Sequence, residues 1–531
     1  THGGVRGWHR EVSAYSIKGS YLMDDYILEM ENITKIYGNG VYANKEISMN
    51  VKNGEIHALM GENGAGKSTL MKVLFGIESL DGGSIKFNGE NVSGKSPQEV
   101  IKAGIGMVHQ HFMLINSLTV YENVILGMEP KKGLSTDSKK AIEIVQQLSD
   151  KYNLKVNPLE VVENLSVGLK QKVEILKVLA RNAKLLILDE PTAVLTPQET
   201  QELFEQLLLL KKNGHTIIFI SHKIREVMQI CDRVTIIRRG QFIKTIETAS
   251  SSEEEISRLM VGRDVILQMN KSKATFGKTI LEIDNLEYTN DFHKKMLDQL
   301  SFKLKQGQIL GVAGVEGNGQ NELADCIFGL RKGSGQIVFE DNNILNDTIK
   351  KHRENGISFI PEDRLSTGLA ESSSVWENII ADRIDSNDVK TNHILDNKKI
   401  RAITKKLIKE FKVVCKNEEQ EIGMLSGGNM QKIVVAREMS AKPLLIIANQ
   451  PTRGIDVGAN EFIWKKLIEY RDEGVGILLI SADLNEILEL SDSIMVMYEG
   501  KITGYFEDSK KVTEEDLGKY MLGLKKQERE G

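Results

Sequence analysis

The sequence predicts an α/β chain made of two tandem, mainly parallel domains, and three observations carry that prediction. The first is a long-range repeat: EISMNVKNGEIHALMGENGAGKSTL (Glu46 to Leu70) aligns with QLSFKLKQGQILGVAGVEGNGQNEL (Gln299 to Leu323). The spacing between matched residues drifts only from 253 at the glycine loops to 260 at the later LS motifs, so a domain has been duplicated with small insertions. The second is alternation. Short apolar runs such as LLILDE and TIIFISH alternate with helical stretches such as QETQELFEQLLLLKK. Strands buried on both faces and separated by helices make a parallel sheet. The third is GENGAGKST (Gly61 to Thr69), a full P-loop between the strand IHALM and the helix TLMKVLFG.

Taken in order, residues 1–26 read as a disordered extension without apolar period, and 27–262 form the first domain. Residues 263–278 are a polar linker, 279–525 the second domain and 526–531 a charged tail. At 531 residues the chain exceeds one ordinary core, as two domains require. It is 40% hydrophobic and 27% charged, and no uncharged apolar run approaches the ~18 residues that would span a bilayer. Any work at a membrane must therefore go through partners. A net charge of -5 argues against a broad nucleic-acid surface, and no nucleic-acid partner is expected. Cys231, Cys326 and Cys415 lack metal-type spacing and fit reduced thiols.

The first copy carries the phosphate chemistry. Gly61, Glu62, Asn63, Gly64, Ala65, Gly66, Lys67, Ser68 and Thr69 make the loop, whose backbone N–H groups and following helix attract phosphate. Lys67 would reach the β- and γ-phosphates of ATP and Ser68 would ligate Mg²⁺. In LLILDEPT, Asp189 and Glu190 end an apolar strand beside the P-loop. Asp189 would hold Mg²⁺ through water and Glu190 would polarise the attacking water. His109 and His111 flank Gln110 as HxH, with no further ligands near them to make a metal site.

With these motifs the chain resembles the ABC ATPases, from Leu28 to about Leu524. The resemblance implies an ABC-type architecture, each domain having an antiparallel β subdomain and an inserted helical subdomain. It implies that Gln110 senses Mg²⁺ and contacts a permease, that His222 contacts the γ-phosphate and that Tyr37 stacks on adenine. The alternative reading of Tyr37, less favoured, is a half-buried strand residue. It further implies that each ATP lies between one copy's P-loop and the other copy's signature.

That rule sorts the motifs. The second copy reads GVEGNGQN and LIIANQPT, with Gln320, Asn321, Asn449 and Gln450 where Lys67, Ser68, Asp189 and Glu190 stand. Glu362 takes the place of Gln110, and Ala482 that of His222. An amide supplies neither the negative charge for Mg²⁺ nor a carboxylate's proton acceptor. Yet this copy keeps LSGGNMQ with Ser426, Gly427 and Gly428, and a D-loop Asp456, where the first has Val167 and Thr196. One composite site is intact and the other dismantled. Random decay would not sort so.

Tandem domains with PEDR, SGGN and PTRGIDVGA are similar to ATPases of monosaccharide and nucleoside importers, and MVHQHFMLINSLTVYENVILGMEP to the nucleoside branch. The resemblance implies two membrane-spanning permease subunits, an extracellular substrate-binding lipoprotein and a place at the cytoplasmic face of the cell membrane. Phe112, Met113, Leu114 and Ile115 would line a permease groove or anchor the helical subdomain. A monosaccharide importer is the alternative reading. A soluble tandem ABC protein acting on ribosomes is the rival from another class, and a non-hydrolysing regulatory binder a third.

Overall fold

Each copy is organised around strands that alternation alone cannot order in space. The computed structural model describes residues 26–38, 40–62, 64–110, 112–133, 135–193, 195–262, 271–272 and 274–527. The expected extension up to residue 25, most of the linker and the last four tail residues lie outside them, as do Asn63 and His111. In the first copy a six-stranded sheet runs Gln241–Glu247, Arg233–Arg238, Ile56–Met60, Thr216–Ile220, Leu185–Asp189, Ile105–Val108. All neighbours are parallel except the outermost hairpin of Arg233–Arg238 with Gln241–Glu247. The four parallel strands of five residues or fewer are buried at every position, which is why they read as unbroken apolar runs.

A second, antiparallel sheet in the order Tyr42–Lys52, Tyr26–Ile36, Gly82–Phe87, Glu90–Asn91 covers the P-loop helix. Its buried face (Met30, Ile33, Met49, Ile85) packs with Leu70, Met71 and Leu74 of that helix. The helical segment inserted after Gln110 contributes Val120–Ile125 and Ser138–Lys151, packed on the signature helix Val167–Leu179. Asn123 ties it down, donating to the Ile115 and Thr119 carbonyls at 3.0 and 3.1 Å.

The second copy repeats this plan. Its core sheet runs Ile357–Ile360, Leu445–Asn449, Gly476–Ile480, Ile309–Ala313, Ser493–Tyr498, Lys501–Phe506, beside its own four-stranded antiparallel sheet. The copies touch through Glu514–Met521, which packs on Pro197–Lys212 of the first. There Gln198 donates to the Glu515 carbonyl at 3.0 Å and Arg225 pairs with Glu514 at 3.3 Å. Among the described residues no helix is long and apolar enough to cross a membrane. Cys231, Cys326 and Cys415 are all free thiols, the first two buried.

Candidate ATP site

Four adjacent parallel strands end at one edge of the first sheet, and each delivers part of the site. Ile56–Met60 leads into Gly61, Thr216–Ile220 into His222, Leu185–Asp189 into Glu190, and Ile105–Val108 into Gln110. Their ends are level, with Leu59 and Asp189 both in register with Ile220. The acid pair therefore does not adjoin the P-loop strand. The histidine strand runs between them.

The loop is shaped by close backbone approach. Gly66 has φ +98°, and a Cβ there would lie 2.3 Å from the Ala43 carbonyl oxygen, so no other residue fits. Lys67 opens the helix Lys67–Leu74 and is buried, with Nζ donating to the carbonyls of Gly61 at 2.7 Å and Glu62 at 3.1 Å. Burial lowers its pKa, opposed by Glu190, Asp189 and Glu62. Thr69, in the first turn, lies 3.5 Å by its hydroxyl from that of Tyr37. Tyr37 falls just beyond its strand and is 37% exposed, with the Lys35 ammonium 5.7 Å from its ring centroid.

Glu190 is gripped from both sides. Gln110 donates through Nε2 to its Oε2 at 3.1 Å, and His222 through Nδ1 to its Oε1 at 3.0 Å. Burial pushes this carboxyl up, but the hydrogen bond and charge of His222, with Lys67 and Lys223, outweigh it and hold Glu190 below the usual glutamate value. Asp189 goes the other way. Burial first and the Glu190 charge second raise its pKa, against a hydrogen bond from Ser68 and the charges of Lys67 and Lys72. Glu190 sits at φ 48°, a left-handed conformation that costs a non-glycine residue about 1–3 kcal/mol, and Gln450 repeats it at φ 53°.

The second copy's elements meet the first across the domain boundary. Glu62 lies close to the Gly458 N–H and to Asp456 of the second copy. Burial, then the Asp456 charge, raises the Glu62 pKa. Asp456 caps the helix Val457–Asp472, accepting from the Ala459 N–H at 2.7 Å, and its other oxygen would lie 2.7 Å from a Cβ on Gly428. Gly427 and Gly428 open the helix Gly427–Ser440, with Ser426 just before it accepting from Asn429 at 2.9 Å.

The altered site of the second copy has other contacts. Gln320 donates to the Val315 carbonyl at 3.1 Å, and Gln450 accepts from the Ala482 N–H at 3.1 Å. Asn449 and Glu362 both bond Asn321, and Glu362 is paired with Arg453. Sequence reasoning passed over Arg453. The signal was a compensated change between the copies: Gln110 becomes Glu362 while Ala193 becomes Arg453. Lys72, one turn beyond Ser68, was also passed over, as was the approach of Glu62 to Gly458.

A P-loop on a parallel sheet, with an acid pair held at a nearby strand end, defines a nucleoside-triphosphate hydrolase, and its fold, without those residues, is repeated in the second copy. The chain belongs to the ABC transporter family, whose profile matches residues 44–193 and 297–453, and it is an ATP-binding, ATP-hydrolysing member. It is similar to the guanosine import ATP-binding protein NupO of Bacillus subtilis, 45% identical over 95% of this chain and 99% of that one. The nucleoside import ATP-binding protein NupA of Lactococcus lactis is 42% identical over 94% and 99%. A glucose import ATP-binding protein of Haloferax volcanii is 42% identical over 94% and 95%.

Proposed function

We propose that this chain is the ATPase subunit of a nucleoside importer, working from a single composite ATP site. The observation that carries the composite site is the sorting of the motifs, with Lys67, Ser68, the acid pair and His222 on one copy and the full LSGG signature and D-loop Asp456 on the other. The contact of Glu62 with Gly458, across the boundary between the copies, supports it. The domain limits we assign are 27–262 and 279–525, joined by the linker.

In this reading the loop N–H groups, Lys67 and the helix behind it bind the ATP phosphates, and Tyr37 stacks on the base. Two neighbouring carboxylates, one of them raised by burial and by the other's charge, form an oxygen-rich pocket that favours a hard cation. Ser68, Asp189 and Gln110 would hold Mg²⁺ there, which supplies charge neutralisation when bound. Glu190, kept ionised by His222, orients the attacking water and takes its proton. His222, Ser426, Gly427 and Gly428 then face the γ-phosphate, so hydrolysis requires the copies to close on each other. The second site, with Gln320 for the P-loop lysine and Asn449 and Gln450 for the acid pair, binds nucleotide weakly and does not hydrolyse it.

The partners we assign are two membrane-spanning permeases and, through them, an extracellular substrate-binding lipoprotein, with the chain at the cytoplasmic face. Of the apolar quartet, Met113 and Ile115 are 59% and 44% exposed, whereas Leu114 packs partly against the core. The two exposed ones suit a docked permease segment and Leu114 the anchor. The relatives named for nucleosides favour that cargo, and the one named for glucose keeps a sugar as the second reading.

Ser426→Ala tests the composite site, because Ser426 lies on the other copy from the acids. Steady-state hydrolysis should fall on the order of 10²–10³-fold with ATP binding kept. A parental rate would refute the pairing of the copies. Cargo is tested by uptake of radiolabelled nucleoside in cells carrying the parent or the Glu190→Gln chain, with unlabelled nucleosides and sugars as competitors. Uptake that needs Glu190 and is blocked only by nucleosides is expected; blocking by ribose or galactose would assign the sugar branch.

A further inference from the structure

We propose that the second copy's altered phosphate site has become a fixed brace, and that Arg364 is the positioning residue connecting it to the signature that serves the first copy's ATP. The proposal rests on the composite-site reading above.

The brace is a continuous chain of side chains. Asn449 donates to Asn321 Oδ1 at 2.9 Å, and Asn321 donates to Glu362 Oε2 at 2.5 Å. Glu362 in turn forms an ion pair with Arg453. These four residues occupy the places of Asp189, Ser68, Gln110 and Ala193. Amides and an acid–base pair bond one another there without metal or nucleotide, although Asn449 Oδ1 is left buried without a partner. In the first copy Gln110 and Ser68 must exchange their carboxylate partners when a ligand arrives. The second copy has no such exchange to make.

Arg364 carries this arrangement to the signature. Its Nη1 donates to the Arg453 carbonyl at 2.8 Å, and Nη2 lies 3.5 Å from the Gly454 carbonyl. The same Nη2 lies 2.9 Å from where a Cβ on Gly427 would stand, so the guanidinium lies against the signature backbone. One planar fork thus holds the turn that leads to Asp456 and packs against the signature backbone at Gly427.

Two further observations separate Arg364 from an ordinary surface arginine. Among the described residues no carboxylate lies within ion-pair distance of it, and its Nε is buried without a hydrogen-bond partner. It also sorts with the working site. Arg364 follows Glu362 by two residues as Phe112 follows Gln110, so the cation stands only beside the intact signature. Although the neighbouring Asp363 carboxylate offsets part of it, the guanidinium's positive charge at the start of the helix Gly427–Ser440 adds to the potential that helix offers an approaching γ-phosphate.

The test is ATPase kinetics and equilibrium ATP binding on the full chain, comparing parent, Arg364→Gln, Arg364→Lys and Ser426→Ala. For Arg364→Gln, kcat should fall on the order of 10²-fold while ATP affinity stays within about threefold, because ATP is held by the other copy. Arg364→Lys keeps the charge but loses the fork, and should recover no more than about a tenth of the parental rate. If Arg364→Gln does not fold, the lysine variant decides: a parental kcat overturns the proposal. A fall in ATP affinity equal to the fall in kcat also overturns it, making Arg364 a general structural residue. If Ser426→Ala slows turnover and Arg364→Gln does not, the brace is wrong and the composite site stands. If neither slows it, the composite site itself is wrong.

Discussion

Replacing Glu190 by glutamine is expected to stop ATP turnover while leaving ATP binding intact. The amide has the same shape and its oxygen can still accept from one of Gln110 and His222, which bond the two carboxylate oxygens at 3.1 and 3.0 Å, while its NH2 meets the other only after an amide flip or tautomer change. It cannot accept a proton. The loss of a positioned general base is worth about 10²–10⁴ in rate, and the effect should appear in kcat with little change in ATP affinity. The matching change in the other copy, Gln450→Glu, should alter hydrolysis less than twofold, because Asn449, Asn321 and Ala482 leave the new carboxylate without its partners. Steady-state phosphate release by the two purified variants checks both statements. A near-parental rate for Glu190→Gln would remove Glu190 from the chemistry, and a gain from Gln450→Glu would show that the second site is only one residue from activity.

Lys67→Met is expected to abolish tight ATP binding itself. Lys67 is 6% exposed, and its ammonium is held by the Gly61 and Glu62 carbonyls, the position from which it would turn to the phosphates. Methionine fills the volume without the charge. Truncating one partner of a buried charge pair costs about 2–5 kcal/mol, which is roughly 30- to 5,000-fold in Kd. Equilibrium binding of a fluorescent ATP analogue measures it, with a thermal melt to establish that the variant is folded. Affinity unchanged from the parent would mean that nucleotide is held elsewhere, and the altered second loop, where Gln320 already lacks the charge, would be the place to look.

Part of this site could be read directly from the residues, because its chemistry needs particular residue types at short spacing. Gly61 to Thr69 is such a case: a loop that approaches phosphate by its backbone must have glycine where a Cβ would strike the chain, as Gly66 does at Ala43. The acid pair at the end of an apolar strand is another. The duplication made the reading stronger, since each copy supplied the comparison for the other. The roles of Tyr37, Gln110 and His222 were different. Their spacing to the P-loop carries no physical necessity, and family resemblance supplied them.

Other contacts were hidden because they join residues far apart in the chain. Nothing in Glu62 announces that it will meet Gly458, nor in Arg364 that it will lie on Gly427. Arg453 and Glu362 came closest to being visible, as a charge swap between the copies, but only their ion pair gives the swap a meaning.

By itself, then, the sequence determined the duplicated α/β plan, the phosphate loop, the acid pair and the division of intact motifs between the copies. Local sterics and side-chain chemistry are enough to fix those. Tertiary structure alone decided the strand order that sets the histidine strand between the P-loop and acid strands, and so lets His222 hold Glu190. It alone joined the copies, set Glu62 on Gly458 and tied the altered loop to the signature through Arg364. Strand order and domain contact depend on which apolar faces bury one another, a property of the whole chain that no local spacing encodes.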